Sequence, residues 1–513
     1  MMMRWVTERI SFPGSLATSQ WKLVVFVSFA AWIIVVGMHH EPWFDESQAW
    51  LLARDSSFYE LLAERVRYEG TPGLWHILLW LAIRAGLPFD GFYLISVACA
   101  LIGATLILWR APFPAPLRML LLASYFFSYQ FSIVARSYAL DLALVPALAC
   151  VFPQRTKRPV AYGLLIGLLA NSNAHSLCFA SVLGVEWLWV LIRVHRTKAA
   201  SWGLALAIGL GLFAMLVAWQ PSDNAFVNPG IKARSALAAG LLYIDEAFID
   251  RPTFWSAIEP TPLDMAYGAF GSIVLLLPSL LLFLRAGTLL LGMATMVALT
   301  GFSVMVYAMQ WHSGILFLAW IFGLWITWPA MQTWPALGRM VVTSFAIITA
   351  VQATEGVHSG LWDIKHAYTG SVQAAQKIAS ILSERPRARI AAAGFQAIEV
   401  QPYFPHNIFA NFHGGNPSPS FLTWKTSDWR IFSTLPEAYA IAAAQYDIIL
   451  MSTFNIHRGD LTRFDGFAAK HGYRILKICP GNRIWKGYNA KNDAESFIIY
   501  GVENDQPKVG NSP

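Results

Sequence analysis

Two adjacent carboxylates, Asp45 and Glu46, stand between Trp43-Phe44 and Trp50, just after an apolar run from Trp21 to Met38. Pro42 rigidifies the approach to them. A carboxylate set against an apolar wall has a raised pKa, which suits it to accept a proton. The bland alternative is a pair of interfacial acids that merely ends a membrane helix, and the pair alone leaves both readings open.

Composition sets the surroundings. The chain has 513 residues, 56% hydrophobic and 13% charged, with 22 Trp and 17 Tyr, and a mean hydropathy of +0.47. Soluble domains carry about 25% charged residues, so this is read as a polytopic membrane protein with aromatic interfacial belts. The net charge of +7 is spread without a clustered basic face, which argues against nucleic acid as a partner. Four cysteines (Cys99, Cys150, Cys178, Cys479) form no disulfide framework and no metal-ligand spacing. The first apolar run is long and lacks a small-residue cleavage site, so it reads as an anchor that is retained.

Residues 1–20 are polar and basic (Arg4, Arg9), which puts that end in the cytoplasm by the positive-inside rule. Further apolar runs fall at 91–109, 117–134, 138–152, 159–176, 177–193, 202–219, 264–284, 287–308, 313–330 and 337–353. The stretch Gly73–Ala85 is too short for a bilayer that needs about 20 helical residues. If it does not cross, the basic connections 110–118, 154–158, 193–198, Arg285 and Arg339 all share the N-terminal side. The expected architecture is then about 11–13 helices, about eleven of them full spans. Runs 159–176 and 177–193 could also be one long helix with a polar middle. The polar clusters 39–71, 130–138, 171–175, 220–262 and 310–312 collect on the opposite, outer face. Polar groups at membrane depth usually line a cavity.

From about residue 354 the long apolar runs stop. Helices at 372–382, 437–444 and 461–471 alternate with strands at 388–393, 447–451, 474–478 and 496–500, which predicts a small α/β domain. The expected division is therefore 1–353, a membrane module with outer loops 39–71 and 220–262, and 354–513, a soluble periplasmic domain.

Three motifs, Asp45-Glu46-Ser47-Gln48-Ala49-Trp50, Glu69-Gly70-Thr71-Pro72-Gly73-Leu74-Trp75 and Ala135-Arg136-Ser137-Tyr138, resemble in order and spacing those of the GT-C superfamily of membrane glycosyltransferases. The branch they resemble includes protein O-mannosyltransferases and lipid A aminoarabinose transferases, and the likeness spans roughly residues 20–350. It implies an inverting transferase (EC 2.4 class) using a polyprenyl-phosphate-linked sugar, with an Asp in the first outer loop deprotonating the acceptor hydroxyl. That role falls to Asp45, with Glu46 beside it as a second catalytic candidate. Where many relatives carry His or Lys before the Pro, and a second Asp after the Arg, this chain has Thr71 and Ser137-Tyr138. Asp141, a turn further on, is a possible substitute.

A departing lipid phosphate develops negative charge and calls for a cation aimed at it. A guanidinium meets that need bidentately. Arg136 is the first choice, against a bland role as a snorkelling interfacial Arg; Arg54, Arg65 and Arg67 are alternatives. Glu69, His76, His175 and His312 are candidate sugar or phosphate contacts, or structural hydrogen-bonders. Trp75, Trp311 and Tyr138 could stack on a sugar ring or simply belong to the aromatic belt. No metal ligand set and no cofactor is expected, although one divalent ion at Asp45 is not excluded. The reading is a multi-pass glycosyltransferase of a bacterial inner membrane. It takes a polyprenyl-phosphate sugar and a glycan, lipid or protein acceptor at the periplasmic face. The alternatives are a lipid or sugar transporter or flippase without glycosyl transfer, and a membrane sensor whose outer domain binds a ligand.

Overall fold

The computed structural model describes residues 20–193, 197–225, 233–249, 262–306, 309–429, 434–454, 456–485 and 495–502. Arg4 and Arg9, and much of the predicted 220–262 loop, lie outside the described residues. Seven described helices are long and apolar enough to cross a membrane: Gln20–Gly37, Phe89–Arg110, Ala174–Arg193, Lys198–Ala218, Ala266–Arg285, Gln310–Thr333 and Pro335–Lys365. Shorter apolar helices span Leu74–Arg84, Ala139–Gln154, Pro159–Ala170 and Leu289–Met305. Their outward surfaces are apolar. Val24, Trp202, Leu216, Leu290 and Val297 are exposed, as expected where the solvent is lipid.

The spans depart from their predicted bounds in four places, each with a local cause. The run 117–134 is not one helix: an α-helix ends at Ala123 and a wider turn covers Phe126–Gln130. The Ser124 hydroxyl donates to the Leu121 carbonyl at 2.6 Å and the Ser128 hydroxyl to the Ala123 carbonyl at 2.9 Å. Such side-chain bonds offer the backbone an alternative to the regular ladder. The pair at 159–193 is two helices that part at 171–173 rather than at 176, because Asn173 accepts the Ser176 backbone N–H at 2.9 Å and so caps the second. The expected loop 220–262 contains a helix, Ala233–Phe248. The last span is a helix that runs unbroken to Lys365, past the end expected at 353.

Helices Pro159–Ala170 and Lys198–Ala218 meet through glycine. A Cβ at Gly163 would collide with the Gly203 carbonyl, and one at Gly203 with the Pro159 carbonyl. Small residues let helix backbones approach this closely in membranes. Gly163→Ala is expected to destabilise the protein by about 1–3 kcal/mol through overpacking, read as a lower melting temperature in detergent. The same change at Gly184, which has open space around it, is the control.

The C-terminal elements match the expected alternation closely. We label the helix Ser371–Glu384 α1, then β1 (Ile390–Ala393), α2 (Thr434–Ala443), β2 (Ile448–Ser452), α3 (Arg458–Lys470), β3 (Tyr473–Cys479) and β4 (Phe497–Val502). The sheet order is β1-β2-β4-β3, with β1 parallel to β2, and β4 antiparallel to both β2 and β3. Strands β1 and β2 are buried throughout and apolar except for Ser452, as expected of strands covered on both faces. One face (Ala391, Ala393, Ile449, Met451) packs on α2 and α3 through Ile441 and Phe464. The other (Ile390, Ile448, Leu450, Ile499) shares one core with Trp43, Phe44, Leu51 and Leu52 of the first loop. The sheet is thus completed by the membrane module.

Candidate active site

Asp45 and Glu46 sit in the first turn of the loop helix Phe44–Asp55, where unpaired N–H groups and the helix dipole favour negative charge. Asp45 Oδ2 lies 3.0 Å from Arg136 Nη1, and the two side chains keep 25% and 23% of their surface exposed. Arg136 comes from the irregular segment between the Phe126–Gln130 turn and the helix beginning at Ala139. Burial raises the Asp45 carboxyl above its ordinary range; Arg136 and Arg483 pull it back down, and Glu46 adds to the rise.

Glu46 behaves differently from its neighbour. It is fully enclosed. Its Oε1 accepts the Ala135 backbone N–H at 2.6 Å, and its Oε2 accepts the Trp43 N–H at 3.1 Å. The second bond is the return half of a capping box; the first ties the residue before Arg136 to the residue after Asp45. Grouping Glu46 with Asp45 as catalytic is therefore corrected: its oxygens are consumed in holding the two strands of the site together.

Behind Glu46 lies a network that the sequence reading did not find. His40 Nε2 meets Glu46 Oε2 at 3.1 Å and His40 Nδ1 meets Asp363 Oδ2 at 2.7 Å. The Tyr129 hydroxyl donates to the same Asp363 oxygen at 3.0 Å. Burial works to lower the imidazole pKa, but the two carboxylates overcome it and push His40 up to about 10. When protonated, His40 donates from both nitrogens, one to each carboxylate. The available signals were weak: a His at the end of the first span, and an acid lying between the last expected span and the helix expected at 372–382.

The remaining candidates divide. Glu69 is close to the pair, since Asp45 and Arg136 both act on its carboxyl, which burial first of all pushes up to about 7. Its Oε1 accepts from Gln48 Nε2 at 2.9 Å and from Trp424 Nε1 at 3.0 Å. His76 is buried, and its Nδ1 has no hydrogen-bond partner among the described residues. Tyr138 contacts His312 Nε2 through its hydroxyl at 2.5 Å, and His312 stacks on His175 at 4.3 Å between ring centroids. His175 also reaches the Ser303 hydroxyl at 3.2 Å. Trp311 stands edge-on to Trp43, 5.1 Å between centroids.

Three expectations are corrected. Trp75 is 1% exposed, packed among Trp50, Phe89 and Phe92, so no sugar ring can lie on it. Arg54 is an anchor for the C-terminal domain: it bonds Asp55, the Phe404 carbonyl at 2.7 Å and the Ser420 hydroxyl. Asp141 cannot stand in for the second Asp, because Ser172, Asn173 and Ser176 saturate it at 2.6–2.9 Å.

The C-terminal domain closes over this loop. Gln48 donates to the Leu422 carbonyl at 2.8 Å and accepts the Leu422 N–H at 2.9 Å. Gln48→Ala leaves both backbone groups, and one Glu69 contact, unmet in a buried place. A cost of about 1–3 kcal/mol is expected, with faster hydrogen exchange at residues 420–424 as the readout. From the same domain, Arg483 lies over the Trp43 ring at 5.0 Å and pairs with Glu495 at 2.7 Å. Glu495 also receives the Phe44 N–H at 3.4 Å. Nothing in the sequence linked Arg483 to Asp45. Among the described residues no group of three or more His, Cys, Asp or Glu converges as a metal cage would.

Fold and site together define a multi-pass helical membrane protein whose C-terminal α/β domain covers an acid–guanidinium pair. No family model and no curated protein matches the chain. Among solved structures it is similar to the arabinosyltransferase EmbB from Mycobacterium smegmatis, seen by cryo-electron microscopy. The identity is 14% and the TM-score 0.34, over 70% of this chain and 43% of that one. The chain thus spans less than half the length of this structural neighbour.

Proposed function

We propose that the chain is an inverting glycosyltransferase of the GT-C type. It moves a sugar from a polyprenyl-phosphate carrier to a hydroxyl of a glycan, lipid or protein, at the periplasmic face of a bacterial inner membrane. The N-terminus is then cytoplasmic and the C-terminal domain periplasmic. One observation carries the reading: Asp45 and Arg136, 3.0 Å apart and each about a quarter exposed, meet at the start of the loop helix that follows the first long apolar helix.

In this mechanism Asp45 removes the acceptor hydroxyl proton as that oxygen attacks the anomeric carbon. The bond from that carbon to the lipid phosphate oxygen breaks, and its electron pair leaves with the phosphate. Arg136 stabilises the charge that develops there. Attack opposite the leaving group inverts the centre. Glu69 is assigned to the sugar and its phosphate, and Glu46 to positioning; His76, Tyr138, His175 and His312, buried like Trp75, are assigned no contact with the sugar.

The test is reconstitution in vesicles with a radiolabelled polyprenyl-phosphate sugar, run in EDTA because no metal is assigned a role. Wild type should release label from the lipid into acceptor, and Asp45→Asn should not. Label that crosses the bilayer uncleaved would overturn the reading in favour of transport.

A further inference from the structure

A narrow cleft in the membrane module plays no part in the chemistry above. It lies between the helices Leu289–Met305 and Ser313–Thr327 and holds about 450 Å³ of empty space, its open mouth included. Buried Phe179, Phe248 and Leu316 close its inner end. Its rim, formed by Thr288, Gly292, Met296, Gly323 and Ile326, is half-buried. Leu290, Met293 and Val297, on the rim helix, are exposed, so the cleft opens sideways onto the bilayer. Its polar side chains are already occupied. Thr295 donates to the Leu291 carbonyl at 2.8 Å, Thr288 to the Phe283 carbonyl at 3.4 Å, and Trp320 to the Ser279 hydroxyl at 3.1 Å. Such a lining suits hydrocarbon, because a polar guest would go unpaired. Leu316 and Ile326 stand about ten residues apart, roughly 15 Å along the helix. That is the depth of one leaflet, half of a hydrocarbon core about 30 Å thick.

A cation marks one end of the cleft. Arg285 ends the helix Ala266–Arg285, in the turn that leads to Thr288 on the rim. It is exposed, and its guanidinium lies 5.7 Å from the centre of the Trp334 ring. Among the described residues it has no ion pair and no hydrogen bond. The helix Pro335–Lys365 starts beside Trp334, and near its other end Asp363 bonds His40, which in turn bonds Glu46. Trp334 and Asp363 are about 29 positions apart, roughly 44 Å at 1.5 Å each, which exceeds the hydrocarbon thickness. Arg285 therefore stands on the face away from Asp45. A lipid that brings its phosphate to Asp45 and Arg136 cannot also place it at Arg285. The segments around the mouth, Arg285 to Thr288 and Trp328 to Trp334, contain no acid, so neither offers a partner to the ammonium of a zwitterionic headgroup.

We propose that the cleft binds an anionic phospholipid of the leaflet opposite the acid–guanidinium pair, with one acyl chain in the cleft and the phosphate on Arg285. A guanidinium meets a phosphate bidentately, and Trp334 supplies the aromatic contact usual at headgroup depth. The site is independent of glycosyl transfer. The bare alternative is that Arg285 only snorkels to the interface while bulk lipid fills the cleft without selection.

The experiment titrates the full-length protein, delipidated in detergent, with phosphatidylglycerol or phosphatidylethanolamine and follows bound lipid by native mass spectrometry. The proteins are wild type, Arg285→Gln, Arg285→Lys, Thr295→Leu and, as a control, Arg110→Gln, an exposed cation at the end of another span. Wild type should hold one phosphatidylglycerol more tightly than phosphatidylethanolamine. Arg285→Gln should weaken that binding about fivefold, the worth of one cation facing anionic lipid, with Arg285→Lys in between. Thr295→Leu fills the cleft from its wall and should weaken both lipids, while Arg110→Gln should change neither. Phosphatidylglycerol with a photoreactive acyl chain should label residues 288–296 and 316–326. Labelling elsewhere overturns the proposal, whatever the stability of Thr295→Leu. Equal binding of the two lipids overturns it too, as does equal behaviour of Arg285→Gln and Arg110→Gln. Displacement of the bound lipid by a short-chain polyprenyl monophosphate would assign the cleft to the donor instead. The first three results leave the Asp45-dependent turnover untouched.

Discussion

Asp45→Asn is expected to cut turnover by about 10²- to 10⁴-fold, the usual contribution of a positioned general base, while leaving donor affinity nearly unchanged. The substitution keeps the shape of the side chain and its hydrogen bonding to Arg136 but cannot take a proton. The loss should therefore fall on kcat rather than KM, as it does for an interaction made only in the transition state. The pH profile carries a second check. Burial raises the Asp45 carboxyl above its ordinary range, so activity should fall as pH drops through a value above the usual carboxylate pKa of about 3.9. Arg136 opposes that rise; in Arg136→Gln the acid limb should move to higher pH, provided enough activity remains to follow it. Wild-type kcat in the Asp45→Asn protein would refute Asp45 as the base, and an unmoved limb would show that the pair is not electrically coupled.

His40→Ala is expected to be the most destabilising single change in this region, costing about 3–5 kcal/mol, the range for breaking a buried ion pair from one side. Glu46 and Asp363 are both fully or almost fully enclosed, and the imidazolium lies between them at 3.1 Å and 2.7 Å. Without it, two carboxylates face each other across a void. The sign of the pH dependence follows from the raised folded pKa. His40 is about 6.5 when unfolded and about 10 when folded. Its stabilisation is full below about 6.5 and is lost progressively as pH rises through about 10. The gap between wild type and His40→Ala should therefore be widest at pH 6 and narrow toward pH 10, measured by thermal unfolding in detergent. A gap under 1 kcal/mol, or one that widens with pH, would sink this account. Because Glu46 also holds Ala135, the variant should lose activity through a displaced Arg136 even where it remains folded.

Much of the architecture was legible because its signals are local. Apolar runs report spans directly, since each must cross the hydrocarbon alone and satisfy its own backbone. The α/β alternation after residue 354 was legible for the same reason: periodicity belongs to each segment separately. Helix ends were read less well. The break at 171–173 and the extension to Lys365 turn on caps and packing that hydropathy averages away.

At the site, the chain alone showed which residues had chemistry to offer, Asp45 and Arg136 among them. It also contained, unread, the reason why Asp45 and Glu46 do different things. Consecutive residues on a helix diverge by about 100°, so once the segment is a helix only one of them can face the opening. Which one was decided by tertiary structure, because it depends on where Ala135 and His40 lie. The same holds for Arg483 and Glu495, set beside Trp43 and Phe44 by a sheet that shares the core on one of its faces with the first loop. Charge pairing across such separations leaves no periodic trace along a chain; it exists only after the fold has brought the partners together.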